Sequence, residues 1–295
     1  VEPSRPRAYG VLCLAVLCLA TTWPVSKLAL ADATPIWFAA SRAGLSALVS
    51  ASLLLVIGRL HLPSRGDLPI VVSIAVLQLA GFFALTNLGL RYLPSGRAVV
   101  LAFTMTIWLV PMALLVGERI GGWRLAGVVA GLAGVAVLCA PLARGGGDRH
   151  LLAGTAFLLL AALAWALAIF HARHHRWRRS PLELLPWQMA LATLLLALLA
   201  ALLEPDGCIG TAPGTLLAVL YIGAVAGPLA TWASNSAARG LPMLVNSLGF
   251  LAVPAIGIAA SSLWLGEALT PSLVLGAALI LLGIALVAIG AASPR

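Results

Sequence analysis

Residues 86–94 read Thr-Asn-Leu-Gly-Leu-Arg-Tyr-Leu-Pro, and residues 234–242 read Ser-Asn-Ser-Ala-Ala-Arg-Gly-Leu-Pro. Asn87, Arg91, Leu93 and Pro94 recur as Asn235, Arg239, Leu241 and Pro242, at an offset of 148 residues. Farther on, Gly117-Glu118 recurs as Gly266-Glu267, and Gly127 and Gly134 recur as Gly276 and Gly283, at an offset of 149. Two polar and glycine patterns in the same order, at nearly one offset, are not a chance product of an Ala/Leu-rich chain. The sequence is a tandem repeat, and the next question is what one copy contains.

Composition answers it. Of 295 residues, 62% are hydrophobic and 9% charged. A soluble domain carries about 25% charged residues, so this chain cannot cover a water-facing surface. A soluble globular domain, a nucleic-acid-binding module and a disordered tail are excluded. The net charge of +9 therefore implies no nucleic-acid partner. Stretches between charged residues serve as a ruler: 8–26, 33–58 (interrupted by Arg42), 68–90, 98–117, 125–143, 150–172, 184–203, 207–238, 240–266 and 268–294. Each is near the roughly 20 apolar residues that a helix needs to cross a bilayer. They are apolar all round, whereas strands of an outer-membrane barrel would alternate apolar and polar. The expected fold is an all-α integral membrane protein of ten transmembrane helices.

Matching the repeats places helices 3, 4 and 5 on helices 8, 9 and 10, so each copy holds five. Five is odd, and the second copy must enter the membrane from the opposite side. The prediction is a pair of inverted five-helix repeats, 1–147 and 148–295, joined around Arg144-Gly-Gly-Gly-Asp148. Inverted repeats are a transporter architecture with the substrate site near the midplane. Arg and Lys give the orientation. With the N-terminus in the cytoplasm, twelve basic residues fall inside and five outside, which by the positive-inside rule puts both termini in the cytoplasm. The Arg173–Arg179 segment is read as an anchor at the lipid headgroups. Trp23-Pro24-Val25-Ser26-Lys27 is not a small-residue cleavage site, so the first span is expected to be a retained helix. Cys13, Cys18, Cys139 and Cys208 show no metal spacing, and no disulfide is expected.

In its ordered double set of motifs the sequence resembles the EamA-like branch of the drug/metabolite transporter superfamily. The residues that carry the resemblance are Trp23-Pro24 with Lys27, Arg42, Leu93-Pro94, Gly117-Glu118 and the glycines of helix 5. The second copy supplies Trp165, Pro254, Gly266-Glu267 and the glycines of helix 10. The resemblance spans nearly the whole chain. It implies export of small metabolites, often amino acids, across a bacterial inner membrane. One departure is that Met105 stands where the second copy has Pro254. Pro111 follows instead, so the kink of helix 4 is expected elsewhere.

Arg42 is the costliest residue to place. Seven residues past Pro35 it lies about 10 Å deep at about 1.5 Å per residue, and a centred Arg costs about 3 kcal/mol on insertion scales. Such a side chain meets a substrate anion, pairs with Asp32, or snorkels to the headgroups. Lys27 shares a helix face with Trp23, and Pro24 between them frees a carbonyl; the alternative is an interfacial anchor. Trp165 with His171, and Trp187 with Gln188, are candidates for the inner half of the pathway, and a loop extension is the alternative for His171. Gln78, Trp108, Tyr221 and Trp232 are further substrate-binding candidates, with core packing or the interfacial belt as the alternative for the tryptophans. Asn87 and Asn235, also candidates for substrate binding, recur, which fits a shared duty such as bonding broken backbone. Trp37, Trp123, Trp177 and Trp264 are expected in the belt. Glu118 and Glu267 fall at helix ends, where capping is expected. No other carboxylate lies near a span centre, so a coupling proton and a counter-substrate both stay open. Helices 5 and 10, with one glycine face each, are expected to support either each half or a homodimer contact. No cofactor, metal site or catalytic cluster is expected, and the expected partners are a small-molecule substrate and the bilayer. A cationic-compound exporter and a lipid-linked substrate flippase are alternatives on the same fold; a membrane-embedded enzyme would need a catalytic cluster the spans lack.

Overall fold

The computed structural model describes residues 5–118, 120–143 and 149–292, the side chains at 5, 6, 141–143, 235, 238–240, 243, 244 and 292 excepted. Among the described residues, ten helices are long and apolar enough to cross a membrane. They are α1 (Arg5–Ala29), α2 (Pro35–Val56), α3 (Leu68–Tyr92), α4 (Ser95–Leu115), α5 (Gly122–Ala143), α6 (Arg149–His174), α7 (Pro181–Leu203), α8 (213–240), α9 (243–265) and α10 (Pro271–Ala292). The physical reason is that a backbone in hydrocarbon must satisfy its own N–H and C=O groups, and a helix does so within one segment. Proline occupies the first helical position of α2, α7, α8 and α10, where its missing donor costs nothing. An even count puts both termini on one face, called here the terminal face; the opposite is the far face.

The packing obeys a two-fold that exchanges each helix with the one five places on. α2 packs on α7, α4 on α9 and α5 on α10. The pair α3 and α6 is mirrored by α8 and α1, and the pair α1 and α9 by α6 and α4. The glycines of α5 and α10 lie on this axis. A Cβ at Gly134 would stand 2.7 Å from the Gly276 carbonyl oxygen, and one at Gly283 would stand 2.6 Å from that of Gly127. Backbone therefore touches backbone, which only glycine permits. These faces join the two halves of one chain, which differs from both expectations, support within a half and a dimer contact. The expected join at 144–148 lies outside the described residues.

Irregularities recur in both repeats. α3 is π-helical over Ile74–Gly81 and α8 over Tyr221–Ala226. In each, a glycine five residues after a carbonyl sits against it: a Cβ at Gly81 would lie 2.9 Å from Val76 O, and one at Gly227 3.0 Å from Ile222 O. Pro228 adds a missing donor on the second side. α4 breaks at Thr104, whose hydroxyl donates to the Leu101 carbonyl at 2.6 Å. α9 breaks at 250–251, where Pro254 leaves the Phe250 carbonyl to Val253. Pro111 lies inside the second segment of α4. The break of α4 thus falls one residue before Met105, at the level of the second copy's break, and not at Pro111. Gly117 and Gly266 both have positive φ, +78° and +65°, the left-handed residue that ends a helix.

Candidate functional site

Between the repeats lies a cavity of about 490 Å³, walled mainly by α1, α2, α3, α6, α7 and α8. Most of its wall is apolar. Phe82 is part of that wall, edge-on to Trp165 at 4.3 Å and to Trp23 at 6.5 Å between ring centroids. Such edge-to-face geometry places the positive ring edge against a negative face.

Arg42 enters this wall from α2. It is 7% exposed, and its Nε has no hydrogen-bond partner. Its guanidinium carbon lies 3.9 Å from the ring centroid of Phe83, a cation–π contact, with Phe38 at 5.9 Å. Among the described residues it forms no ion pair. Asp32 accepts from the Ala212 backbone N–H at 2.9 Å instead. Gln188 of α7 is its counterpart: Pro35 begins α2 seven residues before Arg42, and Pro181 begins α7 seven residues before Gln188. Gln188 is 3% exposed, lines the same cavity, and its Nε2 is unpartnered. Thr86 Oγ1, also on the wall, is unpartnered too. Three buried polar groups thus face one apolar space, and buried polar groups are normally hydrogen-bonded.

Of the residues expected at the site, Trp23, Arg42, Gln78 and Trp165 line the cavity. Lys27 does not; its Nζ donates to the carbonyls of Leu90 and Leu93, at 3.0 Å for Leu93. Asn87 is fully buried and donates to the Pro35 carbonyl at 3.0 Å, tying α3 to the first turn of α2. Tyr221 hydroxyl meets Thr21 Oγ1 at 2.7 Å beside the wall. Trp108 is half-buried outside the cavity, and Trp232 is 45% exposed on the outer surface. The side chain of Asn235 lies outside those described. The break at Thr104 and the π turn in α8 shift the helix faces, which is why Trp108 and Trp232 point away. Trp177, expected in the belt, lines the cavity's terminal end with Pro181. Gln188, expected in the inner half of the pathway, lines the cavity as well, and the equal proline spacing pairs it with Arg42. Phe82, Phe83 and Thr86 were not among the expected residues.

The two faces are built differently. On the far face Glu267 accepts from Ser95 N (2.7 Å), Ser95 Oγ (2.8 Å) and Gly96 N (2.9 Å), so it caps α4 and not a turn of its own. Lys27 caps the C-terminus of α3. Opposite charges therefore sit on the opposite dipole ends that meet at the Leu93-Pro94 turn. On the terminal face Glu118, the counterpart of Glu267, pairs with Arg124 at 3.3 Å. A vestibule of about 320 Å³ opens beside that pair, with Arg173 and His174, and shares Phe103, Met105 and Phe250 with the central cavity. Asp67, fully buried, joins the α2–α3 and α6–α7 connectors. It accepts from Ser64 Oγ at 2.7 Å and Arg178 N at 2.9 Å, with His175 at 3.5 Å. Burial pushes its carboxyl up, but the Arg178, Ser64 and His175 donors together outweigh it and hold it below the ordinary carboxylate range.

Comparison with known proteins agrees with this architecture. Residues 6–140 and 152–289 each match the model of the EamA-like transporter family. A Bacillus subtilis protein named "Uncharacterized transporter YvbV" is 30% identical, over 96% of this chain and 92% of its own. The "Probable terminal-alkyne amino-acid exporter" of Streptantibioticus cattleyicolor is 25% identical, over 95% and 93%. The "Probable amino-acid metabolite efflux pump" of Escherichia coli is 26% identical, over 94% of each chain. One solved crystal structure, 25% identical, covers 96% of both chains with a TM-score of 0.65.

Proposed function

The chain belongs to the EamA-like transporter family, and we propose that it exports small carboxylate-bearing metabolites, amino acids or related compounds, across a bacterial inner membrane. It is a multi-pass membrane transporter and not an enzyme. The observation that carries the proposal is Arg42: a buried guanidinium without an acidic partner among the described residues, facing a cavity between two inverted repeats. A carboxylate arriving there supplies the missing charge and accepts two parallel N–H bonds. Trp23, Phe82 and Trp165 cover the apolar body of the substrate, and Gln78 and Gln188 offer amide groups to fix its orientation. Two relatives with names that point to amino-acid export support the same class.

The repeats proposed at 1–147 and 148–295 rock about the α5–α10 contact, opening the cavity first to the terminal face, taken as the cytoplasm, and then to the far face. The test is counterflow. Purified protein in liposomes preloaded with a carboxylate should accumulate the labelled compound, and Arg42→Ala should lower the rate at least tenfold in protein that inserts normally. Undiminished counterflow in that variant would overturn the role of Arg42. Accumulation of cationic drugs in place of carboxylates would overturn the substrate class.

A further inference from the structure

We propose that the vestibule on the terminal face is a second substrate site, an entry subsite that takes both charged ends of a zwitterionic α-amino acid before the molecule reaches Arg42. The inference rests on the amino-acid reading of the central cavity and adds a separate site to it.

The first observation is the charge on the vestibule wall. The central cavity carries one formal charge, Arg42, among its described lining residues. The vestibule carries both signs: Glu118 with Arg124 and Arg173, and His174 beside them. The fold leaves these groups largely uncommitted. Arg124 reaches Glu118 through one nitrogen and one oxygen at 3.3 Å, longer than the roughly 2.7–2.9 Å of a tight charge-assisted bond. The other oxygen of Glu118 has no partner among the described residues, and the side chain is 41% exposed. Arg173 is exposed and has no ion pair among the described residues. His174 is turned back to its own helix, with Nδ1 2.8 Å from the Phe170 carbonyl oxygen. An α-amino acid offers a carboxylate and an ammonium on one carbon. Arg173 can donate two parallel N–H bonds to the first, and the open oxygen of Glu118 can accept from the second. Arg124 is then a positioning residue that keeps Glu118 on the wall.

The second observation is where the vestibule ends. Phe103, Met105 and Phe250 line both chambers, so they stand between them. Phe103 and Met105 flank the break of α4 at Thr104, and Phe250 lies in the break of α9. The partition is therefore hung on the two interrupted helices, one from each repeat, at the points where a helix changes direction most easily. Moving either joint moves the partition. The amino acid then passes from a site with charges of both signs to one where Arg42 takes the carboxylate. There the ammonium meets hydroxyl and amide oxygens and aromatic faces.

The experiment uses the full chain in a cysteine-free background, purified in detergent, with one reporter in each chamber. Ser247→Cys reports on the vestibule and Ser234→Cys on the central cavity; each residue lines only its own chamber. Labelling by N-ethylmaleimide is followed against L-leucine, 4-methylpentanoate and 3-methylbutylamine, which share one branched chain and carry both charges, the carboxylate alone or the ammonium alone. Leucine should slow labelling of both reporters. Arg42→Ala should abolish protection of Ser234→Cys but leave the half-protecting concentration at Ser247→Cys within twofold. Arg173→Gln and Glu118→Gln, both at exposed side chains, should each raise that concentration at least tenfold, and the two single-charge analogues should need at least tenfold more than leucine. Loss of protection at Ser247→Cys in the Arg42→Ala variant would mean a single site and overturn the inference. So would equal protection by 4-methylpentanoate, which would take Glu118 out of ammonium binding, or no protection of Ser247→Cys by leucine. Each of these leaves the proposed function standing, because that reading fails only if no carboxylate shows counterflow.

Discussion

Glu267 and Glu118 hold the same place in the two repeats, each following a left-handed glycine at the end of a broken helix, yet only one of them crosses between repeats. Glu267 takes three donors from the start of α4 and ties α9 to α4 on the far face. Glu118, among the described residues, meets only Arg124 six residues away, beside an open vestibule. Equal sequence with unequal bonding is what the proposed rocking of two inverted copies requires in any one state. The far end is the one in which carboxylate, lysine and helix ends are matched.

This contrast can be broken, starting with its strongest contact. Glu267→Gln leaves one acceptor oxygen for the Ser95 donors, now neutral, and turns the other oxygen into an NH2 that cannot accept from Gly96 N, a loss of about 2–4 kcal/mol given roughly 1.5–3 for each bond to a charged group. In a cysteine-free background, Ser26→Cys, 2% exposed at the far end of the cavity, should then react at least tenfold faster with a membrane-impermeant maleimide. No gain in reactivity would mean the cap does not hold that end shut. A second test sharpens the comparison where the repeats should behave alike. Gly134→Ala and Gly283→Ala meet carbonyl oxygens at 2.7 and 2.6 Å and should each destabilise by about 1–3 kcal/mol, despite about 1 kcal/mol gained in helix propensity. Thermal unfolding in detergent should show equal losses; a difference above about 1 kcal/mol would place the two glycines off a shared axis.

Smaller effects belong to the terminal face. Glu118 is 41% exposed at its side chain, so Glu118→Gln should cost only about 0–1 kcal/mol and leave the labelling of a Ser234→Cys reporter unchanged in the resting state. Asp67 gives an effect visible only in acid. Its folded pKa is depressed, so its stabilisation is fully present above the ordinary aspartate value of about 3.9. That stabilisation is lost as pH falls through the depressed folded value. Asp67→Asn should therefore lower the melting temperature near neutral pH and flatten its decline below about pH 4. A parallel decline in wild type and variant would remove Asp67 from the account.

Much of this was legible in the residues. Charge-free runs gave ten spans, and Asn87 with Asn235, then Gly117-Glu118 with Gly266-Glu267, gave the inverted pair. Arg42 stood out because its depth past Pro35 could be counted. What stayed hidden involves pairing across distance or a change of helical pitch. Glu267 meets Ser95 across 172 residues, and no local pattern announces that. The π turns shift the faces of α3 and α8, so residues read on a regular helix, Trp232 among them, land toward the lipid. Lys27 looked like a cavity lysine because it shares a face with Trp23, but the carbonyl ends of α3 claim it.

The glycine seam between α5 and α10 has a consequence of its own. Cut from its partner, either half would expose a bare strip of backbone that fits only another such strip laid against it upside down. The duplication settles that demand in advance. Each half is born tethered to the one surface that suits it, so the seam assembles at an effective concentration set by the connector and not by the abundance of the protein.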